Sequence, residues 1–131
     1  MRYLLDTGTF LWSLGGAGRL NREALELLSE NKEEVYLSAA SSWEISIKVS
    51  LGKLELPGPP QKHVPLRMSM LGIQALFITH AHTLAVSELP DHHRDPFDRL
   101  LIAQARSEGM KFMTADQVCA KYPVDVLWCG K

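Results

Sequence analysis

Two rhythms of apolar and polar positions alternate along this chain: short apolar runs that suit a buried strand, and longer stretches that repeat at helical spacing. Residues 2–5, 35–38, 74–78, 110–113 and 124–128 read as five short strands. Thr9-Phe10-Leu11-Trp12 is a short helical segment closed by Gly15-Gly16, and Asn21 can cap a helix reaching about Asn31 with Leu25 and Leu28 inward. Residues 39–51 form a third helix in which Ala40, Ile47 and Leu51 recur, with Gly52 as its stop. Pro57, Pro59 and Pro60 stiffen the loop that follows, before a helix over about 61–71. Thr79 can cap a helix running to about Glu88, and residues 89–94 are a polar, His-rich loop. Asp95-Pro96 opens a helix whose Leu101, Ile102 and Ala105 face inward and which ends at Gly109; residues 116–121 suit a short last helix. The repeated strand-then-helix order predicts an α/β fold, a central, mostly parallel sheet with helices on both faces.

Composition narrows this picture. A chain of 131 residues suits one domain with one core, with no repeat, linker or low-complexity tract to divide it. The hydrophobic fraction of 46% and charged fraction of 22% are those of a soluble globular protein rather than a disordered one. No apolar run approaches the roughly 20 residues that span a bilayer, so no membrane role and a cytoplasmic location are expected. Cys119 and Cys129 form neither a CxxC pair nor a zinc ligand set and are read as reduced thiols. A formal net charge of -1 excludes global attraction to nucleic acid, so a polyanionic substrate would need a local basic patch or a metal ion.

The candidate chemistry lies in four acids. Asp6 and Asp116 each follow a predicted strand, at the carboxyl edge where ligands of open parallel sheets collect. Each could equally be a helix cap. Glu44 shares a helical face with Ala40, Ile47 and Leu51, although a surface bridge to Lys48, of roughly 0.3 to 0.5 kcal/mol, would be the ordinary use of that spacing. Asp95 before Pro96 is the better N-cap, which leaves Asp98, one turn before Leu101 and Ile102, to project toward the sheet. Carboxylates gathered together repel one another unless a cation supplies positive charge. An all-oxygen set favours Mg²⁺ or Mn²⁺ over zinc. The histidines, including His80, His82, His92 and His93, read as loop or surface residues, and no Ser or Cys has an evident His and acid beside it.

The stretches Leu4-Leu5-Asp6-Thr7, Ser42-Trp43-Glu44-Ile45, Gly52-Lys53-Leu54, His93-Arg94-Asp95-Pro96-Phe97-Asp98-Arg99-Leu100-Leu101-Ile102-Ala103 and Thr114-Ala115-Asp116, in that order, resemble a PIN-domain protein. More narrowly they are similar to the VapC-type ribonuclease toxins of toxin–antitoxin pairs. The resemblance implies a three-layer α/β/α sandwich and a Mg²⁺- or Mn²⁺-dependent endoribonuclease, usually dimeric and inhibited by a cognate antitoxin. It assigns catalytic and metal-binding roles to Asp6, Glu44, Asp98 and Asp116, with Thr7, Asp95 and Thr114 accessory. Relatives with this opening often carry His where Gly8 stands. Lys48, Lys53, Arg94 and Arg99 are candidates for steering an RNA backbone. Two other readings stay open: a non-catalytic interaction protein, suggested by Gly8, Trp12 and Trp43, and a phospho-accepting receiver-like switch, which would need a lysine after a late strand where this chain has Lys111 before one.

Overall fold

Five strands line up side by side, all parallel, in the computed structural model, which describes residues 1–131. They are β1 (Arg2–Leu5), β2 (Glu34–Ser38), β3 (Gln74–Leu76), β4 (Lys111–Thr114) and β5 (Val126–Trp128), in the order β3-β2-β1-β4-β5. The α-helices between them are α1 (Thr7–Gly15), α2 (Arg22–Glu30), α3 (Ala39–Ser50), α4 (Pro60–Leu71), α5 (His80–Ala85) and α6 (Pro96–Glu108). None of them is long and apolar enough to cross a membrane.

Side chains of a strand alternate between faces, and here that alternation divides the core in two. Leu5, Val35, Leu37 and Met113 point to one face, against Phe10 of α1, Ala24 and Leu28 of α2, Ile45 of α3 and Val64 of α4. Leu4 and Phe112 point to the other, against Ala40 of α3 and Leu101, Ile102 and Ala105 of α6. The three-layer α/β/α sandwich follows from this sorting.

Local chemistry sets the helix ends. Asn21 caps α2 by accepting from Ala24 N at 2.9 Å, and its amide also donates to the Trp128 carbonyl at 2.8 Å, tying the chain's last strand to its second helix. Gly72 closes α4 at φ +67°, a left-handed conformation that favours glycine, and an added Cβ, 2.5 Å from the exposed Asn31 side chain, would require that side chain to move.

Several predicted elements need correction. Leu25 is exposed; α2 buries Ala24 and Leu28, with Leu27 half-buried beside them. On α3 the buried set is Ala40, Ser41, Glu44 and Ile45, whereas Ile47 is half-buried and Leu51 exposed. The cause is that α3 is wedged between the two cores, giving Ala40 to one and Ile45 to the other, which turns its buried arc roughly a quarter of a turn from the Ala40-Ile47-Leu51 line. The third strand ends at Leu76, leaving Phe77 exposed, and only a 3₁₀ turn over Cys119–Lys121 forms where a helix was expected. The corrected face of α2 gives a direct test: Leu28→Ala should lower unfolding free energy by about 2–4 kcal/mol and Leu25→Ala by less than about 1 kcal/mol in urea denaturation. Equal losses would contradict this packing.

Candidate acidic site at the sheet switch point

The strand order reverses direction on either side of β1, and the crevice at the carboxyl ends of β1 and β4 is where such sheets accommodate ligands. A cleft of about 460 Å³ opens there, lined by the carboxylates of Asp6, Glu44, Asp95, Asp98 and Asp116 and by one ammonium, Lys48. Thr7 and Gly8 also line it. Five acids against one base make the cleft strongly electronegative in a protein whose net charge is only -1.

Asp6 is one of the two buried acids of the five, with Glu44. Its backbone N–H donates to the Met113 carbonyl at 2.9 Å, extending the β1–β4 ladder past the end of the strand, and its side chain accepts from Thr9 N at 2.6 Å as the cap of α1. The Thr114 hydroxyl donates to its second oxygen, and Asp116 N donates to that same hydroxyl at 3.0 Å, so Thr114 links the two acids that end β1 and β4. Burial raises the Asp6 carboxyl above the ordinary aspartate range, against the lowering effect of the Thr114 and Thr9 hydrogen bonds; neighbouring Asp116 raises it further. Thr7 is buried and donates to Ser41 Oγ at 2.9 Å, joining α1 to α3 below the cleft.

Glu44 and Asp98 arrive from α3 and α6. Glu44 is 6% exposed and accepts from Lys48 Nζ at 2.8 Å through Oε2, so the one-turn Glu–Lys pair exists, but at the rim of the core rather than on open surface. That hydrogen bond holds the Lys48 ammonium above the usual lysine range. Glu44 Oε1 is buried with no protein partner, an arrangement that costs free energy unless something else supplies a positive or donating group. Asp95 caps α6, accepting from Phe97 N at 2.9 Å and Asp98 N at 3.1 Å. Burial, followed by repulsion from Asp95, pushes the Asp98 carboxyl up to about 6. Trp43 and Phe97, the residues preceding Glu44 and Asp98, meet edge-on at 5.2 Å and brace the two acid-bearing helices together. Trp43 is nevertheless 60% exposed.

Capping and cleft lining turn out not to exclude one another, since Asp6 and Asp95 do both; Asp116 lines the cleft and accepts from Val118 N at 2.9 Å in a turn rather than as a helix cap. A Cβ at Gly8 would have only Asp6 Oδ1 within 4 Å, at 3.8 Å, so nothing near the backbone forbids a larger side chain there. The basic residues divide. Lys48 lines the cleft, Lys53 and Arg94 are exposed, and Arg99 is largely buried, donating to the Pro90 carbonyl at 2.9 Å and to Tyr122 Oη at 3.1 Å, so it is a structural clamp rather than a free surface cation. Lys111 opens β4, at the strand end opposite the acids, which removes the lysine a receiver-like site would require.

His80 and His92 are exposed and His93 lies in the loop before α6, as expected of loop or surface histidines, whereas His82 departs from that expectation. His82 is 2% exposed, completes a capping box with Thr79 and reaches Glu108 Oε2 at 2.8 Å, a core position rather than a surface one. His93 approaches Asp98 Oδ2 at 3.3 Å. Its position five residues before Asp98, across an N-cap that folds the chain back, is the signal that could have revealed the contact. Both cysteines are free and buried, and burial pushes the Cys129 thiol up to about 12, so neither offers a ready thiolate.

Comparison with known proteins agrees with the geometry. Over 61 residues the chain is 43% identical to Ribonuclease VapC16 of Mycobacterium tuberculosis (strain ATCC 25618 / H37Rv), a match covering 47% of this chain and 43% of that protein, less than half the length of the curated relative. The fold superposes on a chain of VapBC2 from Rickettsia felis, solved bound to a promoter DNA fragment, with a TM-score of 0.73 at 17% identity over 98% of this chain and 99% of that one. A chain of FitAcB from Neisseria gonorrhoeae gives 0.62 at 19% identity over 95% and 96%. The PIN domain model matches residues 3–124, nearly the whole sandwich with every acid of the cleft inside it, and the chain therefore belongs to the PIN-domain family.

Proposed function

We propose that this protein is a Mg²⁺- or Mn²⁺-dependent endoribonuclease, the toxin of a toxin–antitoxin pair, acting as a homodimer and held inactive by a cognate antitoxin. The observation that carries the reading is the buried, unpartnered Glu44 Oε1 in a cleft it shares with Asp6, Asp98 and Asp116. An all-carboxylate donor set of this kind suits a hard divalent cation and little else. The family membership, the partial match to a protein named as a ribonuclease and the likeness of fold to chains of toxin–antitoxin complexes support the biological half of the proposal.

Asp6, Glu44, Asp98 and Asp116 would hold the cation, which when bound neutralises phosphate charge and lowers the pKa of an attacking water. The chain's own contribution is orientation. Thr114 and the α1 amide of Thr9 clamp both oxygens of Asp6, Asp95 sets the first turn of α6 so that Asp98 enters the cleft, and Lys48 pins one oxygen of Glu44. Lys48 also brings a cation to the cleft wall that can meet a phosphodiester, with Lys53 and Arg94 as exposed secondary contacts. Thr7 acts indirectly, by fixing α1 against α3 through Ser41.

Two outcomes are expected. Purified, antitoxin-free protein should cleave structured RNA in Mn²⁺, and Asp6→Asn, which keeps the helix cap, should lose at least about 100-fold of that activity; equal cleavage by both proteins refutes the site. The second concerns pH. Because the folded Asp98 carboxyl titrates at about 6 against an ordinary 3.8, its ionised form is a cost to the fold. That cost is complete above pH 6 and vanishes below the ordinary value, where folded and unfolded chains both hold the proton. Metal-stripped Asp98→Asn should therefore be more stable than the parent at pH 7.5, by an order of 1–3 kcal/mol, with the gap narrowing toward pH 5. A gap independent of pH in thermal melts would contradict this origin.

A further inference from the structure

Behind the acid cleft three polar side chains are hydrogen-bonded in series, and counting their donors and acceptors locates the protons. Tyr122 Oη lies 3.1 Å from Arg99 Nη1, 3.3 Å from His93 backbone N and 2.8 Å from His93 Nδ1. A guanidinium and a backbone amide can only donate, so together they occupy both acceptor lone pairs of the phenol oxygen. The Tyr122 O–H must then point at His93 Nδ1, which makes Nδ1 an acceptor and leaves the proton of the neutral ring on Nε2. That nitrogen faces Asp98 Oδ2 at 3.3 Å.

We propose that Arg99 and Tyr122 lock His93 in its Nε2–H tautomer, and that His93 is a positioning residue that donates to Asp98 Oδ2 and leaves Oδ1 for the divalent cation. The inference rests on the metal-site reading given above and assigns a new role beside it. The far end of the series is well anchored: Arg99 also donates to the Pro90 and Val86 carbonyls, and Tyr122 is 3% exposed with His92 edge-on to its ring at 4.9 Å. Asp98 has no other side-chain partner on the protein, so without His93 its rotation would be limited by packing alone.

A competing use of the same residues fails on the same count. His93, Asp98 and Cys119 have ligand atoms within 4.8 Å of one another, a set that could attract a softer metal. Coordination at Nε2 would move the ring proton to Nδ1. Tyr122 Oη would then face three donors with two lone pairs, and its own proton would have no acceptor. The Nε2–H tautomer directed at Asp98 is the arrangement that satisfies every group.

The test uses the full chain, stripped of metal, with Mn²⁺ itself as the probe in calorimetry and electron paramagnetic resonance, and ¹⁵N-resolved imidazole spectra as a readout independent of metal. Partners of this kind typically contribute 10- to 100-fold to metal affinity, so His93→Ala should weaken Mn²⁺ binding by about that factor, and His93→Gln, whose amide N–H can take the place of Nε2–H, should recover most of it. Tyr122→Phe keeps the ring packing and removes only the hydroxyl; it should convert a single Nε2–H signal of His93 into a tautomer mixture even if His93→Ala folds poorly. Parent-like Mn²⁺ affinity in His93→Ala, or a parent His93 that is mainly Nδ1–H, overturns the proposal. If Asp98→Asn binds Mn²⁺ as tightly as the parent, the metal-site reading itself fails and takes the cation role of His93 with it; loss in Asp98→Asn but not in His93→Ala fails the relay alone.

Discussion

Asp6 is buried against the preference of a carboxylate for water, and much of the architecture can be read as compensation for that. Its amide continues the hydrogen-bond ladder between β1 and β4, one oxygen starts α1, and the other receives the Thr114 hydroxyl. These bonds favour the ionised form, yet desolvation still wins and the carboxyl sits above its ordinary range. A group held in that state is prepared for a positive charge, and no protein cation reaches it directly. The switch point of the sheet is thus built around an electrostatic debt that a ligand can settle.

The other acids extend this imbalance while being tied to separate elements. Glu44 rides on α3 and Asp98 on α6, two helices that meet through the Trp43–Phe97 contact just beside the cleft. Both acids lie beside apolar packing, so each is partly desolvated and its orientation is set by neighbours instead of by water. Lys48 answers only one oxygen of Glu44. The result is a rigid negative pocket whose stability as a bare protein and whose affinity for a cation are opposed: substitutions that relieve repulsion should stabilise the fold and weaken the site.

Legibility differed by element for physical reasons. α6 was readable in detail because cap, first-turn proline, buried stripe and terminal glycine all agree in one stretch, from Asp95 to Gly109. α3 was readable as a helix but not in rotation, because a helix touching two cores buries a wider and displaced arc than one amphipathic stripe suggests. His82 and His93 look polar in sequence, but His82 is buried and His93 half-buried in the fold, where Glu108, Thr79, Tyr122 and Asp98 satisfy their nitrogens. Arg99 resembles a surface cation until the loop before α6 wraps its carbonyls around it.

What the chain order alone determined is the alternation of strands and helices, the helix caps and the set of acids at strand and helix ends, since each depends on residues a few positions apart, and the parallel sheet, since a helix between successive strands returns the chain in the same direction. What tertiary structure decided is which acids share a cleft, which oxygen of Glu44 lacks a partner, and how Tyr122, 29 positions away, fixes the protons of His93. Those relations join residues across the sheet, and the hydrogen-bond valence and desolvation that govern them come into being only when the layers have closed.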